Sequence, residues 1–241
     1  MIRAGRVRLN GSLRRDPEMP VQLERDRIAV EGRTINAQTR IYLMMNKPRG
    51  LVTTASDEKG RETIYTVLET SGEHMPWVSP VGRLDKASEG LLLVTNDSEW
   101  GARISAPETH LKKIYHVQID TEAHEKVLPA LLNGVKSDDG EFLSATGVRL
   151  LRSGEKHCWI EIILEEGKNR QIRRMLDVLG VEVLRLVRVA IGPLQLGKLA
   201  KGSYRQLTTD EKTSLDRAIA EARTRIAAVR PQPSNSGKRR R

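Results

Sequence analysis

VGRLDKASEGLLLVTND, residues 81–97, sets one carboxylate, Asp85, directly after a strand-like segment and ahead of a second one. WVSPVGRL (77–84) leads into it and the fully apolar run GLLLVT (90–95) follows it. Apolar stretches of this length bounded by Gly, Pro, Asn and Asp read as strands. An aspartate just after a strand is most often a turn former. Whether Asp85 is that, or the group that does chemistry, depends on what the rest of the chain supplies.

Working outward, strand signals recur at IYLMMNKPRGLVTT (41–54), where Lys47-Pro48-Arg49-Gly50 breaks the strand, and at 114–119, 157–165 and 181–191. Helical spacing is found at 60–70, 97–106, 122–133, 168–180 and 209–227. Strands and helices mixed without regular βαβ alternation predict an α+β domain with a mixed, mostly antiparallel sheet flanked by helices. Before it, residues 1–40 hold two short strand–turn–strand patterns, bending at Asn10-Gly11 and Glu31-Gly32, with too little apolar material for a core of their own. From residue 228 on, the chain is rich in Pro, Ser and Arg and predicts a disordered basic tail. The expected division is 1–40, 41–227 and 228–241.

The helix near 168–180 can be read position by position. Ile172, Met175, Leu176 and Leu179 fall at i, i+3, i+4 and i+7 and form one buried stripe. Arg173 lies at the border of that stripe, where a side chain buries its stem and aims its guanidinium into a cleft. Arg170 and Arg174 fall on the exposed side, suited to phosphates.

The 241 residues are 38% hydrophobic and carry a net charge of +10. The excess sits at the ends: residues 1–40 have nine Lys/Arg against five Asp/Glu, and residues 222–241 have seven and none. Basic ends on a balanced centre suit a polyanion, most simply nucleic acid. No apolar run reaches the roughly 20 residues of a membrane span, and MIRAGRVRLNG lacks the apolar stretch of a signal peptide. A soluble cytoplasmic protein is expected. The lone cysteine, Cys158, excludes an intramolecular disulfide and reads as a small buried hydrophobe. There is no phosphate-binding Walker loop, no dinucleotide fingerprint, no histidine pair at metal-ligand spacing and no Ser in a G-x-S-x-G elbow.

Four stretches together resemble one family. Asn46-Lys47-Pro48 with Gly50, the GRLDKASEGLLLVTND stretch, Lys113-Ile114-Tyr115 and the run Glu166 to Met175 (EGKNRQIRRM) stand in the order found in the RsuA-type ribosomal RNA pseudouridine synthases. The resemblance spans roughly residues 41–210. Residues 1–35 resemble the strand half of an S4 RNA-binding module, whose strands follow two helices; either the true start lies upstream of Met1 or the module is degenerate.

The resemblance implies the pseudouridine synthase fold and an activity. Pseudouridine formation breaks the N1–C1′ bond of uridine, turns the base and joins C5 to C1′, with no redox cofactor and no metal. It implies Asp85 as nucleophile, toward either C1′ or uracil C6, with Arg173 as the salt-bridged cation that keeps a desolvated carboxylate ionised. Tyr115 would stack on the base and assist proton transfer. Arg83 is the candidate at the flipped-out nucleotide, and Lys47 and Lys113 support the active-site loop or contact phosphates. The expected partner is a structured stem-loop of ribosomal RNA, alone or in an assembly intermediate, bound by a monomer. EKGRETIYTVL (58–68) resembles the large-subunit members more, favouring 23S over 16S RNA. Two rivals remain at this level: a non-catalytic RNA-binding assembly protein with the same fold, and a glycosidase, which needs a second carboxylate beside Asp85.

Overall fold

The computed structural model describes residues 1–22, 25–35, 39–54, 57–69, 76–120 and 124–229, in two compact units, Met1–Arg40 and Ile41–Arg241. In the first, β1 (Val7–Leu9), β2 (Ser12–Arg14), β3 (Ile28–Val30) and β4 (Arg33–Ile35) form an antiparallel sheet in the order β2-β1-β3-β4. Both hairpins turn on a residue pair with positive φ, Asn10-Gly11 and Glu31-Gly32, the two-residue geometry that matches strand twist.

The second unit is α+β. Its strands are β5 (Tyr42–Lys47), β6 (Ser79–Val81), β7 (Glu89–Thr95), β8 (Lys113–Ile119), β9 (Val135–Lys136), β10 (Phe142–Leu143), β11 (Gly147–Ser153), β12 (Cys158–Leu164), β13 (Val183–Ile191), β14 (Leu194–Gln195) and β15 (Tyr204–Gln206). Its helices are α1 (Tyr65–Glu69), α2 (Ser98–Ser105), α3 (His124–Asn133), α4 (Gln171–Val178) and α5 (Thr209–Val229). Among the described residues the main sheet runs β11-β12-β8-β13-β7-β5-β15, with β14 beside β13 and β6 beside β7. Every pairing is antiparallel except β13 with β7.

The apolar run 90–95 is buried because both faces of β7 are covered. Leu92 and Val94 join the core built on Tyr115, Val117, Ile160, Ile162 and the α4 stripe Ile172, Met175 and Leu176. Leu91 and Leu93 face the other way, into a second core with Trp100 and Ile104 of α2 and Leu215 and Ile219 of α5. Asp97 caps α2 by accepting from the Trp100 amide at 3.0 Å. Cys158 is fully buried.

Three expectations change. The helix read at 60–70 is only Tyr65–Glu69 within the described residues. Backbone hydrogen bonds Val52 N to Glu62 O and Ile64 N to Val52 O hold 62–64 extended beside Val52, so helical winding starts after them. Strand β11 carries no strand signal because it is a largely exposed edge without apolar alternation. The last helix continues to Val229, past the start of the expected tail at 228; residues 230–241 lie outside the described residues. Among those described, no helix is long and apolar enough to cross a membrane, and no cluster of His, Cys, Asp or Glu could hold a metal ion.

One rung of the sheet matters most. Lys47 on β5 pairs with Gly90 on β7, Gly90 with Arg188 on β13, and Arg188 with Tyr115 on β8. Gly90 has φ +103°, and a Cβ there would lie 2.3 Å from the Arg188 carbonyl oxygen. Only glycine lets the two strands close at this point. Gly90→Ala is therefore expected to lower the unfolding free energy by about 3 kcal/mol, combining backbone strain with overpacking. Urea unfolding checks it, and a loss under about 1 kcal/mol would contradict this account of the rung.

Candidate active site

The segment carrying Asp85 has no regular secondary structure, yet all five carbonyls from Leu84 to Ser88 have donors. Thr53 Oγ1 donates to Leu84 O at 2.7 Å. Lys47 Nζ donates to Asp85 O at 3.2 Å and to Ser88 O at 2.9 Å, with a third bond to Pro48 O at 3.1 Å. The Gly50 amide donates to Lys86 O at 2.8 Å. Arg173 Nη2 donates to Ala87 O at 3.1 Å. The Ser88 amide also returns to Asp85 O at 2.9 Å, closing a turn. Asp85 is thus at a turn, and a turn whose backbone is fixed from three other elements.

The ammonium at the centre of this web is fully buried. Burial is the largest influence on Lys47 and pulls its pKa down to about 8, against the opposing pull of Asp85 and Glu89. Three carbonyl oxygens compensate the desolvation. A buried Lys47 cannot reach a phosphate, so of its two expected roles only loop support stands.

The Asp85 side chain is 34% exposed and faces a cleft of about 430 Å³. Tyr115, Arg83, Lys113, Lys168, Arg170 and Arg188 line the same cleft. Asp85 is the sole carboxylate among its lining residues, so the glycosidase reading has no second acid and falls. Tyr115 is 9% exposed, seated between Ile162 and Arg188 on the neighbouring strands. Arg83 stands exposed at the cleft, without a hydrogen bond or ion pair among the described residues.

The arginines divide their work differently from the sequence reading. The ion pair expected between Arg173 and Asp85 is not formed. Instead Arg170 Nη1 lies 3.8 Å from Asp85 Oδ2, while Arg173 gives its guanidinium to Ala87 O and, at 3.4 Å, to Val183 O. Arg173 is half-buried, as a border position predicts, but it grips the Asp85 turn from behind and does not line the cleft. Burial chiefly, and then Arg170, lower its pKa, with Asp85 opposing. Arg170 precedes α4 with φ +47°, a left-handed backbone costing a non-glycine residue about 1 kcal/mol, and from there it reaches over Asp85. Arg174, expected on the exposed side, is engaged within the chain. It is tied to Asp139 at 2.6 Å, Glu141 at 2.8 Å and Ser137 at 3.0 Å, and two carboxylates neutralise it.

Arg188 was not among the sequence candidates. Its strand, VLRLVRVAI, carries two cations; Arg185 is exposed, while Arg188 alternates with the buried Leu186 and Ala190 and so points inward.

Comparison with known proteins adds the family. Residues 41–177 match the model of the RNA pseudouridylate synthase family. An uncharacterised RNA pseudouridine synthase of Aquifex aeolicus (strain VF5) is 36% identical over 91% of this chain and 87% of its own. Ribosomal large subunit pseudouridine synthase B of Bacillus subtilis (strain 168) is 31% identical over 92% of this chain and 89% of its own. Among solved structures, a crystal structure of a pseudouridylate synthase superimposes with a TM-score of 0.63 at 29% identity, covering 89% of this chain and 90% of that one.

The lowered pKa of Lys47 has a definite pH signature. Below about pH 8 folded and unfolded chains both carry the proton, and the cost of burying the charge is present in full. Between about 8 and 10.5 the unfolded chain holds a proton that the folded chain has released, so this group's share of the unfolding free energy rises with pH. Carbon-13 detected titration of the lysine side chains should show one resonance with a midpoint near pH 8 that is absent from Lys47→Met. Titration of every lysine above pH 10 would contradict the assignment.

Proposed function

The chain belongs to the RNA pseudouridylate synthase family, and on that footing we propose that it converts one uridine of ribosomal RNA, in 23S rather than 16S RNA, to pseudouridine with Asp85 as the nucleophile. The observation that carries this reading is the cleft itself. One carboxylate on an immobilised turn stands beside a buried tyrosine in a pocket otherwise charged by five basic residues, Arg83, Lys113, Lys168, Arg170 and Arg188.

Such a pocket attracts a polyanion and offers its single anion to an electrophilic carbon. The uridine leaves its stack and enters the cleft with Arg83 at the rim beside the vacated position. Its base lies against Tyr115. The carboxylate attacks C1′ or C6; the N1–C1′ bond breaks, C5–C1′ forms, C5 gives up a proton, N1 gains one, and the bond to Asp85 is released, restoring its carboxylate. Tyr115 is placed to assist the proton's departure. Atoms and electrons balance without an oxidant, so no cofactor is required. Arg170 is the counter-charge beside Asp85, and Arg173 acts as a positioning residue through Ala87.

Large-subunit RNA is favoured by the 58–68 stretch and by the name of the Bacillus subtilis relative. The enzyme acts as a cytoplasmic monomer on a structured stem-loop.

Pseudouridine mapping of 16S and 23S RNA tests the reading in cells with the gene, without it, and carrying only Asp85→Asn. One 23S site should vanish with the gene and stay absent in the variant. Modification by Asp85→Asn would remove Asp85 as nucleophile. A vanished 16S site would move the target, and an unchanged map would sink the ribosomal assignment.

A further inference from the structure

Arg188 is a buried cation that neither the fold nor the proposed chemistry explains. It is 6% exposed. Its Nε donates to Leu91 O at 2.8 Å, while its Nη2 is buried without a hydrogen-bond partner. No carboxylate among the described residues lies within ion-pair distance, and Arg188 lines the Asp85 cleft on the rung shared with Tyr115.

Lys113 opens β8 and lines the same cleft. Its Nζ has one long hydrogen bond, 3.4 Å to Glu165 O. Burial first and the Arg188 charge second pull its pKa down, so the two cations sense each other. Two like charges that share one cleft, Arg188 buried and Lys113 partly buried, are unfavourable unless an anion joins them, and an orphan guanidinium N–H adds to the deficit.

The missing group is defined by this chemistry. A uracil carbonyl would satisfy one N–H but leave both charges uncompensated. A phosphodiester supplies the charge and two acceptor oxygens that match an arginine fork. We propose that Arg188 and Lys113 form a phosphate pocket inside the cleft, which grips a phosphodiester of the nucleotide presented to Asp85. This rests on the uridine reading above and adds how the nucleotide is registered: a backbone contact fixes position and carries no base information. It also assigns the orphan rung residue a ligand distinct from the rim contact at Arg83.

The test uses uridine, 3′-uridine monophosphate and 5′-uridine monophosphate as probes, titrated into the full chain by proton–nitrogen NMR. At least one monophosphate should bind the wild type about tenfold more tightly than uridine, the gain of a charged hydrogen-bonded contact. That ratio should fall to about one in Lys113→Gln and in Arg188→Gln, with Arg188→Lys between. Spectral dispersion reports folding; if Arg188→Gln unfolds, Lys113→Gln and Arg188→Lys decide. Equal binding of all three probes by the wild type overturns the pocket alone, as does a ratio that survives the substitutions. Failure of the wild type to bind any of the three counts against the uridine reading, and the pocket falls with it.

Discussion

The site depends on the immobilisation of five consecutive peptide carbonyls, Leu84 to Ser88, and above all on the buried Lys47 ammonium that holds two of them. A loop whose carbonyls bond to water costs nothing to leave mobile. This one instead spends a buried cation, a threonine hydroxyl, a backbone amide and a guanidinium on its backbone. The consequence is a side chain fixed in direction and left without a hydrogen bond of its own. Asp85 can then meet an incoming atom without first giving up a hydrogen bond, the preorganisation on which charge-driven chemistry rests.

The rung through Lys47, Gly90, Arg188 and Tyr115 explains why this sheet can carry such a site. The parallel junction of β13 with β7 is where the antiparallel order breaks, and glycine at 90 lets the backbones close there. Arg188 and Tyr115 line the cleft that Asp85 faces, while Lys47 bonds to two carbonyls of its turn. Arg170 and Arg173, three positions apart at the head of α4, both reach the turn. One supplies counter-charge to the carboxylate; the other holds the main chain. Separating the two tasks lets the carboxylate keep an accessible face, which a close bidentate pair with Arg173 would have covered.

Much of this was legible in the residues, and the failures have physical causes. The GLLLVT run and the Ile172, Met175, Leu176 stripe declare themselves because burial enforces apolar side chains at fixed periods. Strand β11 does not, since an exposed edge makes no demand on its side chains. Lys47 can be read toward phosphate because a lysine's charge is visible in sequence and its burial is not. The exchange of roles between Arg170 and Arg173 turns on one left-handed residue before α4, which no periodicity reports. Arg188 shares its strand with the exposed Arg185, and only its period of two with Leu186 and Ala190 marks it as the inward one.

The central claim is that Asp85, so held, opens a uridine for C5–C1′ bond formation. Each isomerisation expels the hydrogen on C5, so ribosomal RNA transcribed with uridine tritiated at C5 reports turnover directly as tritium in water. The account predicts release by the wild-type chain, limited to one equivalent per RNA, and none above background by Asp85→Asn. Release by that variant at the wild-type rate, or none by the wild type on either ribosomal RNA, would contradict it.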